Sequence, residues 1–246
     1  MAFSHPALSD QANLLLGEMY GATALIGTET GGLPSPIDTS TMISVEQGSE
    51  LNRLLRETGC AKTLEIGLAY GYSTIWILDA LKPGGSHIAV DPFQLGEWRG
   101  IGLHQAKRLG NGVSFALVED YSIHALSDLI RRRESFDLIF IDGNHRYDDV
   151  LVDFYLADQL LEPGALLAFD DMWMPSIRTV MDFIRKNRAY EIVDQSCSNM
   201  RVWRKLRDDD RPWDQWQPFT VDTGKQTFAR RIAGGLRRRA GRLLGK

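Results

Sequence analysis

Short apolar runs alternate with longer amphipathic stretches along the chain from about residue 62. The runs are KTLEIGL (62–68), HIAVDPF (87–93), VSFALVED (113–120), FDLIFIDG (136–143) and GALLAFDD (164–171). Each has the length of a buried strand, and several are nearly continuous in apolar residues, as expected for strands covered on both faces. The stretches with helical spacing lie at 72–82, 97–109, 122–133, 146–161 and 175–187. The pattern therefore predicts five strands that alternate with helices.

This alternation also indicates the fold class. Strands separated by helices imply βαβ crossovers, so we expect an α/β, doubly wound, mainly parallel, Rossmann-like sheet with helices on both faces. Pro163-Gly164 is expected to end the helix at 146–161. Two further β-like runs, at 190–196 and 199–206, follow with a brief break. They are predicted to pair as an antiparallel hairpin at one edge, which gives seven strands.

The two ends of the chain differ from its middle. Residues 1–42 are predicted to form a helical or lid segment, and 43–206 the central domain. Residues 207–246 form a C-terminal extension that begins acidic, DDDRPWDQWQPF, and ends in RRIAGGLRRRAGRLLGK, which has several arginines and no acid. Such a basic tail could lie on an anionic membrane surface or on a partner. A solvated, partly disordered tail is the interpretation that its glycines favour.

Composition and charge narrow the class of protein. The 246 residues are 43% apolar and 24% charged, as in a soluble globular protein, and the net charge of −4 argues against nucleic-acid binding. Two cysteines, Cys60 and Cys197, are too few for a disulfide framework, which favours a reducing, cytoplasmic location. We expect no signal peptide, and no apolar run approaches the roughly 20 residues that would span a bilayer.

A glycine-rich turn follows the first strand, in EIGLAYGYS at 65–73. Gly67 and Gly71 would let the backbone turn tightly and approach a ligand at the crevice where strand order reverses. The second strand ends in Asp91, where a carboxylate can accept hydrogen bonds from ribose hydroxyls. The dinucleotide-binding spacing would need a third glycine where Tyr72 stands. The two features together favour a nucleoside-containing cofactor.

Three acids stand at the ends of two later strands. FDLIFID ends in Asp142, and LLAFDD ends in Asp170 and Asp171. If those strands are neighbours, the carboxylates converge at one rim of the sheet, where hard oxygen ligands suit Mg²⁺ and the cation offsets their repulsion. The alternative is that Asp170 and Asp171 cap loops and that Asp142 forms an Asp-Gly turn.

Two further side chains near these acids are candidates for chemistry. His145 lies three residues after Asp142 in D-G-N-H, and a neutral imidazole with a pKa of about 6.5 could act as a general base. Its alternative is a surface histidine that opens the next helix. Trp173 follows the acid pair and could form an apolar wall beside a substrate, or be a packed core residue.

The motifs resemble those of class I S-adenosylmethionine (SAM)-dependent methyltransferases. E-x-G-x-x-x-G after the first strand and an acid closing the second carry this resemblance, which runs from about Ile43 to Leu206. MISVEQGSELNRLLRETGCAKTLEIGLAYGYSTIWI is similar to cation-dependent O-methyltransferases that include catechol and caffeoyl-CoA enzymes. IDGNHRYDDVLVDF is similar to the bacterial branch with macrocin and mycinamicin sugar O-methyltransferases. The resemblance implies that 43–206 is a SAM-binding methyltransferase domain.

The resemblance also implies roles for individual residues. The implied cofactor-binding residues are Ile43, Glu65, Gly67, Gly71, Tyr72, Ser73, Asp91, Ser122 and Asp142. The implied metal ligands are Asp142, Asp170 and Asp171, with Asp171 in the family's variable third place. At the position of His145 the catechol and caffeoyl-CoA groups carry lysine, whereas the sugar-modifying branch carries histidine. A homodimer that buries the N-terminal helices is a further implication.

The sequence thus predicts a SAM- and Mg²⁺-dependent O-methyltransferase in which His145 and Asp142 are catalytic and Trp173 contacts the substrate. The expected acceptor is a hydroxyl of a metal-chelating small molecule, a vicinal diol or a sugar, in a natural-product or glycan pathway. A catechol or phenolic acceptor is the nearest alternative. An NAD-dependent oxidoreductase shares the sheet and the ribose-binding acid. A non-catalytic scaffold with a membrane-binding tail is a third possibility.

Overall fold

The computed structural model describes residues 3–221, which contain the elements that the sequence pattern predicts. The strands are β1 (Ala24–Leu25), β2 (Ser35–Pro36), β3 (Lys62–Ile66), β4 (Ser86–Val90), β5 (Ser114–Val118), β6 (Phe136–Ile141), β7 (Leu161–Phe169), β8 (Tyr190–Ile192) and β9 (Arg201–Lys205). The helices are α1 (Asp10–Tyr20), α2 (Val45–Thr58), α3 (Tyr72–Ala80), α4 (Ile101–Leu109), α5 (Ser122–Arg131), α6 (Tyr147–Asp158) and α7 (Pro175–Asn187). A single 3-10 turn lies at Thr39–Thr41.

Seven of the strands form one sheet in the order β5-β4-β3-β6-β7-β9-β8. The five strands from β5 to β7 are parallel, β9 runs antiparallel to β7, and β8 pairs antiparallel with β9. The chain moves outward from β3 to β5 and then returns to place β6 on the other side of β3. The predicted doubly wound sheet with a C-terminal hairpin is therefore confirmed, and its switch point lies between β3 and β6.

Two predicted boundaries are wrong. Pro163-Gly164 does not end a helix: α6 already ends at Asp158, and both residues lie inside β7. The β6–β7 register shifts between Phe136 and Leu138, and a proline without an N–H is tolerated at such an irregularity. Helix α4 begins at Ile101 instead of residue 97, because the two residues before it adopt left-handed conformations.

The core has two layers, one on each face of the sheet. Helices α1 to α4 pack around Trp76 on one face, and α5 to α7 pack around Phe154 on the other. The strands supply side chains to both layers, which explains their nearly continuous apolar runs. Both faces of the sheet are therefore closed, and the carboxyl ends of its strands are the open side.

The N-terminal segment packs beside these strand ends. The Tyr72 hydroxyl donates a hydrogen bond to the Met19 carbonyl at 2.7 Å, and the Tyr20 hydroxyl donates to the Ile43 carbonyl at 3.1 Å. The Ser9 backbone N–H donates to the buried Asp79 carboxylate of α3 at 3.3 Å. These contacts fix the end of α1 and the stretch before α2 against the first helix after the glycine turn.

The segment after β9 lies along α7. Gln217 exchanges two hydrogen bonds with the Asn187 side chain, and the Thr220 N–H donates to Asp182 at 2.6 Å. The predicted basic tail lies outside the described residues. Within residues 3–221, no helix combines the length and apolar character needed to span a membrane. Both cysteines are free thiols.

Candidate active site

Two adjoining cavities open above the carboxyl ends of the parallel strands. The larger, of about 600 Å³, extends towards the ends of β4 and β5, and the smaller, of about 400 Å³, extends towards the ends of β6 and β7. Their walls share Gly67, Ala69, Trp98, Asp142 and Gly143. A molecule that occupied both would pass directly over the glycine turn, at the switch point of the sheet.

Gly67 lets the ends of two neighbouring strands meet closely. Its φ is +95°, and a Cβ added there would lie 2.1 Å from the carbonyl oxygen of Asp142. Any side chain would therefore push the ends of β3 and β6 apart. Gly71 also has a positive φ, of 85°, and starts α3 without a side-chain cap. The first turn of α3 thus faces the smaller cavity with backbone N–H groups that no cap occupies.

Glu65, predicted to bind cofactor, lies beneath this turn. It is fully buried, its carboxylate accepts hydrogen bonds from the Ser73 and Thr74 hydroxyls, and it stands 3.3 Å from His87 Nε2. It lines neither cavity. The contacts make Glu65 a support that holds the start of α3 onto β3, and its direct contact with a cofactor stays a prediction.

Asp91 lies at the end of β4 and borders the larger cavity. One carboxylate oxygen accepts backbone hydrogen bonds from Leu68 at 3.1 Å and Ala69 at 2.8 Å, and the other accepts one from Phe93 at 2.9 Å. Burial raises the pKa of this carboxyl group, and the three N–H donors act against the rise. The Trp98 side chain is a fourth donor. A carboxylate offers about four acceptor positions, so a ribose hydroxyl would share one of them or replace Trp98.

The wall of the larger cavity also contains one predicted residue and one that the sequence analysis missed. Ser122, at the start of α5, lines it as expected, and its hydroxyl is hydrogen-bonded to Asp153 of α6. Asp153 is only 2% exposed. The available signal was an acid on the inward side of an amphipathic helix, which also occurs in structural ion pairs, so the pattern alone did not single it out.

The acids after β6 and β7 come together as predicted, and His145 lies among them. Its Nε2 is 3.0 Å from the nearest Asp171 oxygen and 3.6 Å from the nearest Asp142 oxygen. One ligand atom from each of these three residues lies within 4.8 Å of the others. Asp171 has a φ of +56°, a left-handed conformation that aspartate tolerates better than most residues.

Asp170 lies deeper, with 5% of its surface exposed. One of its oxygens accepts hydrogen bonds from the Asp171 N–H at 2.7 Å and from the side chains of Gln47 and Asn199. Gln47 belongs to the capping box at the start of α2, and Asn199 precedes β9. The sequence analysis missed both residues, because neither lies in a recognisable motif and only the folded chain brings them to the acids.

Electrostatics at this cluster favour a cation. Burial, reinforced by Asp142, raises the pKa of Asp170 to about 8, and burial raises that of Asp142 to about 6. The close carboxylates of Asp142 and then of Asp171 raise the pKa of His145 to about 10. Burial opposes ionisation of Asp171, but its contacts to His145 and Trp173 lower its pKa overall. When ionised, the three carboxylates therefore carry more negative charge than the positive charge of their described neighbours can balance.

The donor set fits a hard divalent ion. The carboxylates are the ligand type that Mg²⁺ prefers, and a divalent cation would relieve the repulsion that raises their pKa values. His145 Nε2 is buried, and its contact with Asp171 is not aligned as a hydrogen bond, so this nitrogen has no saturating partner among the described residues. The geometry groups Asp142, His145 and Asp171 most tightly. The predicted ligand set, with Asp170 in place of His145, stays a prediction.

The smaller cavity has an aromatic side opposite the acids. Trp173 is 54% exposed and donates its indole N–H to Asp171 at 2.8 Å, so the alternative of a core tryptophan is excluded. Ile43, Tyr72 and Ser73 also line this cavity, as predicted for cofactor-binding residues. The Tyr72 hydroxyl is already used by the Met19 carbonyl, so only its ring and backbone face the cavity.

Comparisons with known proteins find similarity to methyltransferases. Residues 64–172 match a family model described as a methyltransferase domain. The chain is 31% identical over 138 residues to caffeoyl-CoA O-methyltransferase 2 of Zea mays, covering 54% of this chain and 51% of that protein. It is 30% identical over 156 residues to catechol O-methyltransferase B of Danio rerio, covering 59% of this chain and 55% of that protein. The chain thus spans about half the length of these relatives.

Solved structures share the fold. The O-methyltransferase TomG from Streptomyces achromogenes, determined with SAM, superposes with a TM-score of 0.53 at 20% identity over 84% of this chain and 92% of that chain. A Bacillus cereus O-methyltransferase gives 0.55 at 21% identity over 68% and 84%. These structures show the fold alone. Residues 64–172 match a methyltransferase domain, and the chain is similar to O-methyltransferases of the caffeoyl-CoA and catechol type.

Proposed function

We propose that this protein transfers a methyl group from SAM to a hydroxyl of a small, metal-chelating acceptor, a vicinal diol or a sugar, with the help of Mg²⁺. The observation that carries the proposal is the meeting of two cavities at Gly67 and Asp142. One contains an acid suited to a ribose, and the other contains a cluster of acids with a histidine. Donor and acceptor would therefore meet at the switch point of the sheet.

The cofactor-binding residues fall on both sides of that meeting point. Gly67, Gly71 and the first turn of α3 would hold the methionine part, while Asp91 and Ser122 would hold the nucleoside in the larger cavity. SAM would supply an electrophilic methyl group. The chain itself contributes orientation, and holding both reactants at near-attack distance accounts for a large share of the rate.

Asp142, Asp170 and Asp171 would hold the metal, and the metal would lower the pKa of the acceptor hydroxyl and fix two neighbouring oxygens. His145 would then accept the hydroxyl proton at Nε2, the nitrogen that faces the acids. While Asp142 and Asp171 keep the pKa of His145 at about 10, it is protonated at neutral pH. Its function as a base therefore requires the charge of those acids to be compensated.

The walls of the smaller cavity support an acceptor without phosphate groups. None of the described residues that line it is lysine or arginine, and three are aspartates. A coenzyme A thioester would therefore find no cationic partner for its phosphates there. Tyr70, Trp98 and Trp173 also line it and suit an aromatic ring, so a catechol or phenol is the second candidate.

The first experiment is calorimetric titration of SAM, and then of NAD, into the purified protein with and without Mg²⁺. We expect micromolar SAM binding and no heat from NAD. Diols, sugars, catechols and caffeoyl-CoA are then screened for methylation with Mg²⁺ or EDTA. Failure of SAM to bind under both conditions would contradict the proposal, and preference for caffeoyl-CoA would contradict the acceptor class.

Replacement of Asp142 by alanine tests the metal assignment. We expect Asp142→Ala to lower metal-stimulated turnover by about 1,000-fold or more, since a metal ion contributes several kcal/mol to the stabilisation of charge in a transition state. The variant should remain folded. Asp148→Asn, an exposed acid on the following helix, is the matched control and should keep wild-type activity. Full activity of Asp142→Ala would refute a metal at this site.

The remaining predictions concern the whole chain. We propose residues 43–206 as the methyltransferase domain, with 1–42 as a segment that borders the acceptor, because Ser40, Thr41 and Met42 line the smaller cavity beside Ile43. Residues 207–246 are proposed as an extension. A homodimer, a cytoplasmic location and contact of the basic tail with a membrane surface stay predictions.

A further inference from the structure

Gln47 connects the start of α2 to the cluster of acids, although it lines neither cavity. Its side-chain amide donates a hydrogen bond to Oδ1 of Asp170 and accepts one from the Ser44 N–H at 2.8 Å. Gln47 is only 5% exposed, so both contacts lie inside the fold. The amide therefore joins the segment before α2 to an acid at the end of β7.

The two contacts fix the orientation of the Gln47 amide. Its oxygen faces a backbone N–H and its nitrogen faces a carboxylate. The opposite orientation would set donor against donor and acceptor against acceptor. A glutamate would complete the capping box equally well, but it would place a second carboxylate against Asp170. Of these two residue types, glutamine is the one that serves the helix and the acid together.

The donors to Asp170 all meet at one of its two oxygens. Oδ1 accepts from the Asp171 N–H at 2.7 Å, from Gln47 Nε2 and from Asn199 Nδ2 at 3.4 Å. Within residues 3–221, no group donates a hydrogen bond to Oδ2. Asp170 lines the smaller cavity. This carboxylate is thus held through one oxygen, and its other oxygen retains its capacity for a ligand.

Capping of α2 does not by itself explain the contact between Gln47 and Asp170. Both halves of the capping box are formed between Ser44 and Gln47, since the Gln47 N–H also donates to the Ser44 hydroxyl at 3.2 Å. The contact to Asp170 comes in addition. Burial and the charge of Asp142 raise the pKa of Asp170, whereas a donor at Oδ1 favours its ionised form, the form that binds a cation.

We propose that Gln47 is a positioning residue of the metal site, which holds Oδ1 of Asp170 so that Oδ2 stays available to a divalent cation. This inference rests on the proposed function, in which Asp170 is a metal ligand. Replacement of a residue that hydrogen-bonds to a metal ligand typically lowers metal affinity by about 10- to 100-fold. Gln47 would act through Asp170, because it lines neither cavity itself.

The test measures binding of Mn²⁺, which takes the same oxygen ligands as Mg²⁺, from the EPR signal of the free ion. Gln47→Met keeps the length of the side chain but can neither donate to Asp170 nor accept from Ser44. We expect its Mn²⁺ affinity to be at least about tenfold lower than that of the wild type. Thermal unfolding of the variant verifies that it is folded.

The matched control is Ser44→Ala. It removes the other half of the same capping box and leaves the Gln47 amide in contact with Asp170. It should lower the unfolding temperature as Gln47→Met does, because each substitution removes one hydrogen bond of the cap. Its Mn²⁺ affinity should stay within about twofold of the wild type, because the donor to Asp170 remains.

A measurement on the wild type keeps the inference testable if Gln47→Met does not fold. The side-chain amide resonances of Gln47, observed by NMR in isotope-labelled protein, should shift when Mg²⁺ is added. The reason is that this amide donates directly to Asp170, whose charge a bound cation would compensate.

The outcomes separate this inference from the proposed function. Unchanged Mn²⁺ affinity of a folded Gln47→Met variant would overturn the role of Gln47 and leave metal-assisted methyl transfer intact. Equal weakening by Gln47→Met and Ser44→Ala would reduce Gln47 to a helix cap and would also overturn it. Gln47 amide resonances that do not shift with Mg²⁺ would have the same meaning. Absence of Mn²⁺ binding to the wild type would instead overturn the metal in the proposed function, and this inference with it.

Discussion

The carboxylates at the ends of β3 and β4 differ in kind from those at the ends of β6 and β7. At β3 and β4, the protein itself supplies the hydrogen-bond donors. Glu65 receives the hydroxyls of Ser73 and Thr74, and Asp91 receives three backbone N–H groups. These donors hold both acids at the glycine turn, and Asp91 also borders the larger cavity.

At β6 and β7 the acids face one another. Beyond the effect of burial, Asp142 raises the pKa of Asp170 and Asp171 raises that of Asp142, and His145 offsets only part of the charge. A sequence rarely keeps such a group of acids unless a ligand completes it, because the arrangement lowers the stability of the unliganded protein. Asp170 receives three donors, from Asp171, Gln47 and Asn199, and the charge of Asp142 still raises its pKa. The contrast teaches that buried acids indicate a ligand site where they repel one another.

The largest expected effect comes from the residue that joins the two regions. Gly67→Ala would place a Cβ 2.1 Å from the Asp142 carbonyl oxygen, in a left-handed conformation. We expect a loss of about 3 kcal/mol or more in the free energy of unfolding, from backbone strain combined with a clash that only a backbone shift relieves. Chemical denaturation measures it.

The matched control is Gly84→Ala. Gly84 has a similar φ, of +89°, but a Cβ there would meet nothing within 4 Å. Gly84→Ala should therefore lower the free energy of unfolding by only about 1 kcal/mol, the usual cost of an alanine in a left-handed conformation. Equal destabilisation by the two substitutions would mean that the close approach of β3 and β6 at Gly67 does not contribute to the effect of Gly67→Ala on stability.

The second expected effect is a change in the free energy of unfolding when a buried acid is replaced by its amide, and its sign is opposite in the two regions. Glu65→Gln replaces one of two acceptor oxygens by an NH2 group, so one of the two buried hydroxyls loses its acceptor, and the protein should be destabilised by about 2 kcal/mol. Asp170→Asn removes a charge that its neighbours disfavour, so it should stabilise the metal-free protein by about 1–2 kcal/mol at pH 8. The same Asp170→Asn variant should lose metal-stimulated turnover. Urea denaturation in EDTA, paired with an activity assay, measures both.

A loss of stability in Asp170→Asn comparable to that in Glu65→Gln would contradict the comparison. It would show that Gln47 and Asn199, which donate to Asp170, already satisfy its charge. Addition of Mg²⁺ provides a second check. The ion should stabilise the wild type and have little effect on Asp170→Asn, since only a species that binds the native state shifts unfolding.

The sequence was sufficient for the fold because hydrophobic periodicity is a local property. The five apolar runs, their helices and the edge hairpin all appear in the structure. The two wrong boundaries are Pro163-Gly164, which a register shift allows inside β7, and the start of α4, which two left-handed residues delay. Neither feature leaves a periodic signal. Strand ends can be predicted to converge, so the acids after β6 and β7 could be grouped before the structure was known.

The donors and acceptors around those acids could not be predicted in the same way. Gln47 and Asp170 are far apart along the chain and meet only because the capping box of α2 lies over the end of β7. Glu65 matched a cofactor motif, but its side chain points beneath the turn to Ser73 and Thr74. A motif specifies which residue types are present. The direction of each side chain depends on packing between distant elements.

The smallest expected effect is a pH dependence of stability caused by Asp153. It tests whether two buried acids of the larger cavity, Asp153 and Asp91, differ in the same way as the two groups of strand-end acids. The folded-state pKa of Asp153 is raised to about 6 from an ordinary value of 3.8. The unfolded chain therefore releases this proton first as pH increases. The stability that protonated Asp153 contributes is fully present below about pH 4 and is lost as pH rises through about 6. Asp91, with its three backbone donors, should show no comparable penalty.

Asp153→Asn keeps the shape of the side chain and cannot ionise. Its stability relative to the wild type should therefore increase by about 1 kcal/mol between pH 4.5 and pH 7.5, after allowance for relaxation around the buried group. Urea denaturation at several pH values, with Asp148→Asn as the exposed control, measures the difference. If the difference in free energy of unfolding did not depend on pH, Asp153 would resemble Glu65 and Asp91, whose hydrogen-bond donors come from the protein itself. A rising difference that S-adenosylhomocysteine diminishes would place it with the acids that a ligand completes.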